Sequence, residues 1–274
     1  MPPTRKGGKM DKQTQQRETE WAKLLVQALT EPGVISKAYT AFHGYSIGNQ
    51  MLAWFQCQLR DIQPGPIGTY KKWTERGRQV RKGEKALTLV MPVTCKRKDR
   101  DRVTGEEKER AFTLFVERKN WFVLSQTDGD SYTAPNVPGW DRARCLERLA
   151  ITEEPFSLMD GNVQGYARGK AISVSPVAAL PHKTTFHELA HVVLGHTAEG
   201  TLSDSDTIPR DVREVEAEGT AYLVCAALGL SGAAEARGYL QHWSRGEAIT
   251  EKSAKRIFSA ANTILQAGRD RDNE

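Results

Sequence analysis

The stretch "TTFHELAHVVLGH", Thr184 to His196, makes the hardest demand on any fold this chain adopts. Phe186, Leu189, Ala190, Val192, Val193 and Leu194 give it the apolar density of a buried helix, yet it also carries His187, Glu188 and His191. Ionisable groups taken out of water need partners, and a metal ion is one way to supply them. Residues four apart share a helix face. His187 and His191 can therefore offer two imidazole nitrogens to one ion, while Glu188 beside them can take a proton from water. The alternative is a polar helix satisfied by protein partners alone. Zn2+ suits two histidines and a carboxylate; Mn2+ or another divalent ion is compatible with the same set.

A third ligand must come from elsewhere. His196 stands one residue short of the H-E-x-x-H-x-x-G-x-x-H spacing, and Leu194 occupies the glycine position. Gly195-His196 therefore reads as a helix end, with His196 near the last carbonyls and outside the ligand set. Downstream, "REVEAEGTAY" offers Glu214, Glu216 and Glu218. Glu214 and Glu218 share a face, one to bind metal and the other to hold a ligating histidine. Glu216 points elsewhere and is expected at the surface, and Asp211 looks like the N-cap of this helix.

Charge divides the chain. Residues 1–125 hold 24 Lys and Arg against 13 Asp and Glu, a net of +11; residues 126–274 hold 15 against 21, a net of −6. Opposite signs point to two domains with different partners. No apolar run of about 18 residues suggests a membrane span, and the polar start "MPPTRKGGKMDKQTQQ" lacks the apolar middle of a signal peptide. The expectation is a cytoplasmic protein without a membrane partner. Cys57, Cys95, Cys145 and Cys225 are isolated, which argues for reduced thiols rather than a disulfide framework.

Helical spacing covers Glu18–Leu29, about Ser46–Leu59, Arg142–Ala150, Asp211 to Gly229 and about Lys252–Ala267. "ALTLVMPVTCK" and "AFTLFVERKNWFVLSQT" read as a long hairpin with a charged, solvated tip, and "GYARGKAISVSP" as a second hairpin. Tyr166 there is expected to pack rather than act. The fold class is α+β: residues 1–16 a disordered tail, 17–127 a basic helix-plus-antiparallel-sheet domain, 128–140 a linker, and 141–274 the metal-binding domain.

The basic half concentrates Lys71, Lys72, Arg78, Arg81, Lys82 and Lys85 around Tyr70 and Trp73. Lysines and arginines can track a phosphate backbone, and aromatic faces stack on unpaired bases at about 1–3 kcal/mol each. These eight residues are candidate contacts to single-stranded DNA. Alternatively, Trp73 is core and the cations a solvated rim.

"GYSIGNQMLAWFQ", "GTYKKWTERGRQVRKGEKALTLVMPV" and "FTLFVERKNWFVLSQTDG" resemble, in order, the N-terminal domain of the ArdC antirestriction family between Tyr45 and Gly129. The resemblance implies a single-strand-binding domain of a mobile element. It makes Asn49 and Gln50 structural, and Arg81, Lys82 and Lys85 the phosphate contacts. In the acidic half, E-x-x-A-E resembles elements of ImmA/IrrE-like and thermolysin-like zincins of the gluzincin type. That resemblance implies Glu214 as the ligand, Glu218 as its supporting carboxylate and Glu188 as the catalytic base. Together they imply an antirestriction protein that binds single-stranded DNA and carries a zinc metallopeptidase domain. Restriction-modification subunits or a repressor would be its protein target. A DNA-localised protease, or a DNA-binding protein with a purely structural metal site, are the alternatives.

Overall fold

The computed structural model describes residues 12–100, 107–157, 162–197, 208–244 and 249–270. In chain order, helices α1 (Lys12–Thr30), α2 (Val34–Phe42) and α3 (Ile47–Leu59) precede strand β1 (Ile67–Thr69), the short helix α4 (Tyr70–Thr74) and strand β2 (Arg78–Val80). Then come β3 (Leu87–Arg100), β4 (Glu107–Val123), β5 (Thr127–Gly129), α5 (Arg142–Leu149), β6 (Thr152–Glu153), β7 (Gly165–Arg168) and β8 (Ala171–Val174). Helices α6 (Pro181–Val193), α7 (Arg210–Leu228), α8 (Ala233–Ser244) and α9 (Glu251–Gly268) complete the described elements. Helix and sheet are mixed, as the residue patterns required. No helix among the described residues is long and apolar enough to cross a membrane.

The chain divides into two compact units: Ala41–Ala134, and Met1–Thr40 together with Pro135–Glu274. This differs from the expected domain limits at the start of the chain. The apolar face of α1 packs in the second unit: the Trp21 and Phe258 rings meet edge-on at 5.6 Å, and the Tyr222 hydroxyl donates to the Ala28 carbonyl at 3.0 Å. Periodicity shows that a helix has an apolar face but not which core receives it. Of the expected tail, residues 1–11 lie outside the described residues and 12–16 lie within α1. The "EPG" break is real, with Gly33 at φ 77, but a further helix, α2, starts at once behind it.

In the basic unit, β3 and β4 form the expected hairpin and run longer than expected, Leu87 facing Trp121 at one end and Arg100 facing Glu107 at the other. Its "TGE" tip lies outside the described residues. β1 adds to β4, giving the order β1-β4-β3, and β2 pairs with β5. Ile47, Met51 and Ala53 of α3 are buried, as are Leu87 and Leu89 of β3. The outer edge of β3 is covered by amide side chains in place of a fourth strand. Asn49 receives the Val90 N–H at 2.9 Å and donates to the Val90 carbonyl at 2.7 Å; Gln56 makes the same pair with Thr88 at 2.9 and 2.8 Å. An exposed edge invites pairing with another chain, and this device blocks it locally. Asn49 and Gln50 are thus structural, Gln50 donating to the Tyr45 carbonyl at 2.7 Å.

In the helical unit, α7 is the centre, packed against α6, α8 and α9 and buried almost without break from Val215 to Cys225. It ends where expected, with Gly229 in the left-handed conformation at φ 65. It begins at Arg210 with Pro209 as N-cap, so Asp211 sits inside the first turn and is not the cap. The small sheet has the order β6-β8-β7, which leaves β7 as an edge beside α6. The "linker" residue Trp140 is part of this unit, its indole donating to the Ile264 carbonyl at 3.1 Å. All four cysteines are free.

Candidate metal centre and basic surface

His187 and His191 lie on successive turns of α6, their Nε2 atoms 3.1 Å apart. α7 brings Glu214 to them from the facing helix, its Oε2 3.3 Å from His187 Nε2 and 3.7 Å from His191 Nε2. These three form the one group among the described residues whose ligand atoms converge on a common point. A tetrahedral ion with bonds of about 2.0–2.1 Å separates its ligand atoms by about 3.4 Å. An octahedral ion with bonds of similar length separates them by about 2.9 Å. The three separations, 3.1, 3.3 and 3.7 Å, scatter about the tetrahedral spacing.

The hydrogen-bond network explains why this triangle suits a cation. The Glu218 carboxylate lies 3.0 Å from His187 Nδ1, which places the imidazole proton there and leaves Nε2 a lone pair. His191 Nδ1 lies 3.1 Å from His196 Nδ1, whose own Nε2 lies 3.1 Å from Glu216 Oε2. A consistent set of protons runs His191 to His196 to Glu216, again leaving His191 Nε2 a lone pair. Two lone pairs and a carboxylate oxygen then face one another, an arrangement that repels itself without a positive charge between. Without that charge, protons take its place. Burial pulls the His187 imidazole down, but Glu214, Glu218 and nearby Glu188 outweigh it and bring it to about 9. Hydrogen bonds from His187 and His191 hold the Glu214 carboxyl far below its usual range.

Glu188 is buried, and burial pushes its carboxyl up while His187 and His191 pull it down. Gly165 of β7 makes room for it: a Cβ at Gly165 would stand 3.2 Å from Glu188 Cγ and 2.7 Å from Thr184 Cγ2. Glu218 is anchored from its other side by Lys183, 2.6 Å from Oε1. Burial raises its carboxyl, and the bonds to His187 and Lys183 more than reverse this.

One expectation is corrected here. Glu216 is not at the surface: it is 1% exposed and accepts from Arg256 Nε at 2.8 Å as well as facing His196. His196 does end the helix, its N–H donating to the His191 carbonyl at 2.9 Å behind Gly195 at φ 75. It lies outside the ligand set, as expected, and supports a candidate ligand through His191 Nδ1. The sequence signal was present, since Glu216 stands two residues from either face-sharing glutamate, but its partners Arg256 and His196 are remote in the chain. Tyr166 packs against Phe156 with ring centres 5.9 Å apart.

On the basic unit the eight candidate contacts separate into two groups. Trp73 is fully buried and its indole donates to the Phe122 carbonyl at 2.9 Å, so it presents no face to a base. Arg78 is turned inward as well: Nε donates to Thr127 Oγ1 and Nη2 to the Thr127 carbonyl, both at 2.8 Å, and Nη1 reaches Gly129 and Asp130. It ties β2 to β5. Gly77 precedes it at φ 68, where a Cβ would overlap the Asp130 carboxylate. Arg81 is bonded to Glu84 at 2.8 Å and to the Ser125 carbonyl at 2.6 Å, and keeps part of its guanidinium exposed. Tyr70, Lys71, Lys72, Lys82 and Lys85 are exposed, Lys71 with a loose ion pair to Glu75 at 3.8 Å.

Residues 8–122 match the family described as the N-terminal domain of anti-restriction factor ArdC. That part of the chain is ArdC-like. Its fold is similar to that of ArdC from the R388 plasmid in a metal-free structure, with TM-score 0.51 and 23% identity over 90% of this chain and 94% of the other. A Mn(II)-bound structure of the R388 protein aligns with TM-score 0.50 and 19% identity, covering 93% and 99%. Uncharacterized protein y4eC of Sinorhizobium fredii is 27% identical over 260 residues, 87% of this chain and 80% of that one. The family resemblance in "GRQVRKGEK" is therefore borne out. Within that stretch of the ArdC-like part, Arg78 and Arg81 both spend hydrogen bonds on the fold, and Lys82 and Lys85 remain the free cations.

Proposed function

We propose that this ArdC-like protein binds single-stranded DNA through its basic unit, carries a metal-dependent peptidase site in its helical unit, and protects incoming mobile-element DNA from host restriction. The observation that carries the peptidase reading is the convergence of His187, His191 and Glu214 with a buried carboxylate, Glu188, beside them. A purely structural metal site has no use for Glu188. The zincin-like reading of this unit rests on the same four residues, and the Mn(II)-bound R388 structure supports a divalent ion without selecting Zn2+.

A divalent ion held by His187, His191 and Glu214 would supply the Lewis acidity that polarises a peptide carbonyl and acidifies water. Glu188 accepts the water proton at its carboxylate and returns it to the leaving amine. Glu218 and His196 hold the two imidazoles by Nδ1, so that each Nε2 would be free to hold the ion. The open edge of β7 can hold an extended peptide alongside α6. On the basic unit, Lys72, Lys82 and Lys85 follow phosphates, and of the two candidate rings Tyr70, exposed where Trp73 is buried, is available to a base.

Two measurements test this. The Glu188→Gln chain should retain its metal, fold normally and lose all proteolysis of restriction subunits or of a repressor; retained proteolysis would refute the assignment. Titration of labelled single-stranded and duplex DNA over a range of salt should show single-strand preference with a steep salt dependence. Equal affinity for both would remove the DNA half of the reading.

A further inference from the structure

The cavity lined by Glu188, His191 and Glu214 encloses about 310 Å³, and three arginines complete its wall: Arg168, Arg210 and Arg213. Arg168 is the last residue of β7; Arg210 and Arg213 stand in the first turn of α7, one turn before or beside Glu214. Arg210, Arg213 and Glu214 share a helix face by spacing. The first turn of a helix is the positive end of its dipole, where arginines are electrostatically disfavoured.

The fold makes little use of these guanidiniums, unlike Arg78 or Arg256. Arg210 is exposed and has no ion-pair partner among the described residues. Arg168 reaches Glu154 only at 3.7 Å and stays 72% exposed. Arg213 makes one long bond, 3.5 Å to the His196 carbonyl, and its buried Nε has no partner. A divalent ion at the three ligands would balance the charges of Glu188 and Glu214, leaving the cavity wall positive. No Phe, Tyr or Trp among the described residues lines it. That disfavours a stacked single strand and favours a peptide lying along the β7 edge.

We infer that this site is selective for acidic peptide segments, with Asp or Glu side chains next to the bond at the metal centre seated against Arg168, Arg210 and Arg213. The inference rests on the peptidase reading for the nature of the chain bound, and its test separates the two. Fluorescein-labelled ten-residue peptides of acidic, neutral and basic composition are titrated into the full Mn(II)-loaded Glu188→Gln chain at low and moderate salt. In parallel, the wild-type chain is incubated with the same peptides and cleavage is read by mass spectrometry.

The acidic peptide should bind at least about tenfold more tightly than the basic one at low salt, and the gap should shrink as salt screens it. Arg210→Glu and Arg168→Glu, both at exposed positions, should each reduce that preference, and the double variant should abolish it. Acid preference with no cleavage by the wild type would refute the peptidase reading and leave the selectivity standing. Equal binding of all three peptides, or a preference that survives the double variant, overturns the inference. It is also overturned if an oligothymidine displaces the acidic peptide and loses affinity equally in the double variant, because the arginines would then serve a phosphate backbone.

Discussion

Arg78 in the basic unit and Glu216 in the helical unit are both charged residues drawn inward, and their partners differ in kind. Arg78 ends mainly on backbone carbonyls of Thr127, Gly129 and Asp130. Trp73 likewise ends on the carbonyl of Phe122, and Asn49 and Gln56 on the edge of β3. These contacts fix a fold and leave nothing to react. Glu216, His196, His191, His187, Glu214, Glu218 and Lys183 end on one another instead, a chain of titratable groups with its unsatisfied lone pairs at one point. Buried polarity tied to backbone is architecture; buried polarity tied to other ionisable groups marks a candidate site. The comparison warns against reading cationic and aromatic density as an interface, since two of its most conspicuous members in the basic unit are internal.

The strongest blow to this contrast would come from the ligands. His191→Ala should reduce Mn(II) or Zn(II) affinity by well over the about 100-fold expected of an outer residue, as read by calorimetry, with little change in the unfolding of the metal-free chain. Next is Trp73→Ala, which should destabilise the basic unit by about 3–5 kcal/mol in urea. Tyr70→Ala should stay within about 0.5 kcal/mol, because the ring is exposed. If Trp73→Ala kept its stability and lost DNA affinity instead, the indole would be an interface after all.

His196→Ala and Glu216→Ala should each weaken metal binding by about 10–100-fold without removing a ligand. No loss would mean that the His191–His196–Glu216 chain is only a helix end. Proton competition gives a further measure. In the metal-free chain His187 holds its proton to about 9, above its ordinary value of about 6.5. Its contribution to metal-free stability is therefore full below about pH 6.5 and lost as pH rises through about 9. Metal must displace that proton, so affinity should rise with pH across the same window, with protons released on binding. The smallest effect is on DNA: Lys82→Ala or Lys85→Ala should each lower the salt slope of single-strand binding by about 0.7 per lost phosphate contact. Arg78→Ala should instead lower stability.

Much of this was legible from residue order. The helices at Ile47–Leu59, Arg142–Leu149, Arg210–Leu228 and Glu251–Gly268 and both hairpins follow from periodicity and turn residues. His187 and His191 follow from i, i+4 geometry, and Glu214 and Glu218 share a face by the same rule. α2 was hidden because nine residues after a glycine give too short a pattern to separate from a loop. Trp73 could not be resolved, because a tryptophan among lysines is equally a core plug and a stacking ring until its neighbours are known. Glu216 was misplaced because helical spacing reports which residues share a face, while the burial of that face depends on α9 delivering Arg256.

Sequence alone determined the donors: two imidazoles one turn apart in an apolar helix, a glutamate between them, and a carboxylate pair on a later helix. Those follow from the fixed period of the helix, a local property. Tertiary structure decided which nitrogen of each imidazole faces the candidate metal centre, because Glu218 and His196 arrive from outside α6 to claim the Nδ1 positions. It also decided which of the many cations are spent inside the fold and which stay free, because hydrogen-bond partners up to 52 residues away set that choice for Arg78. Contacts of that range are fixed by packing, and no spacing rule along the chain encodes them.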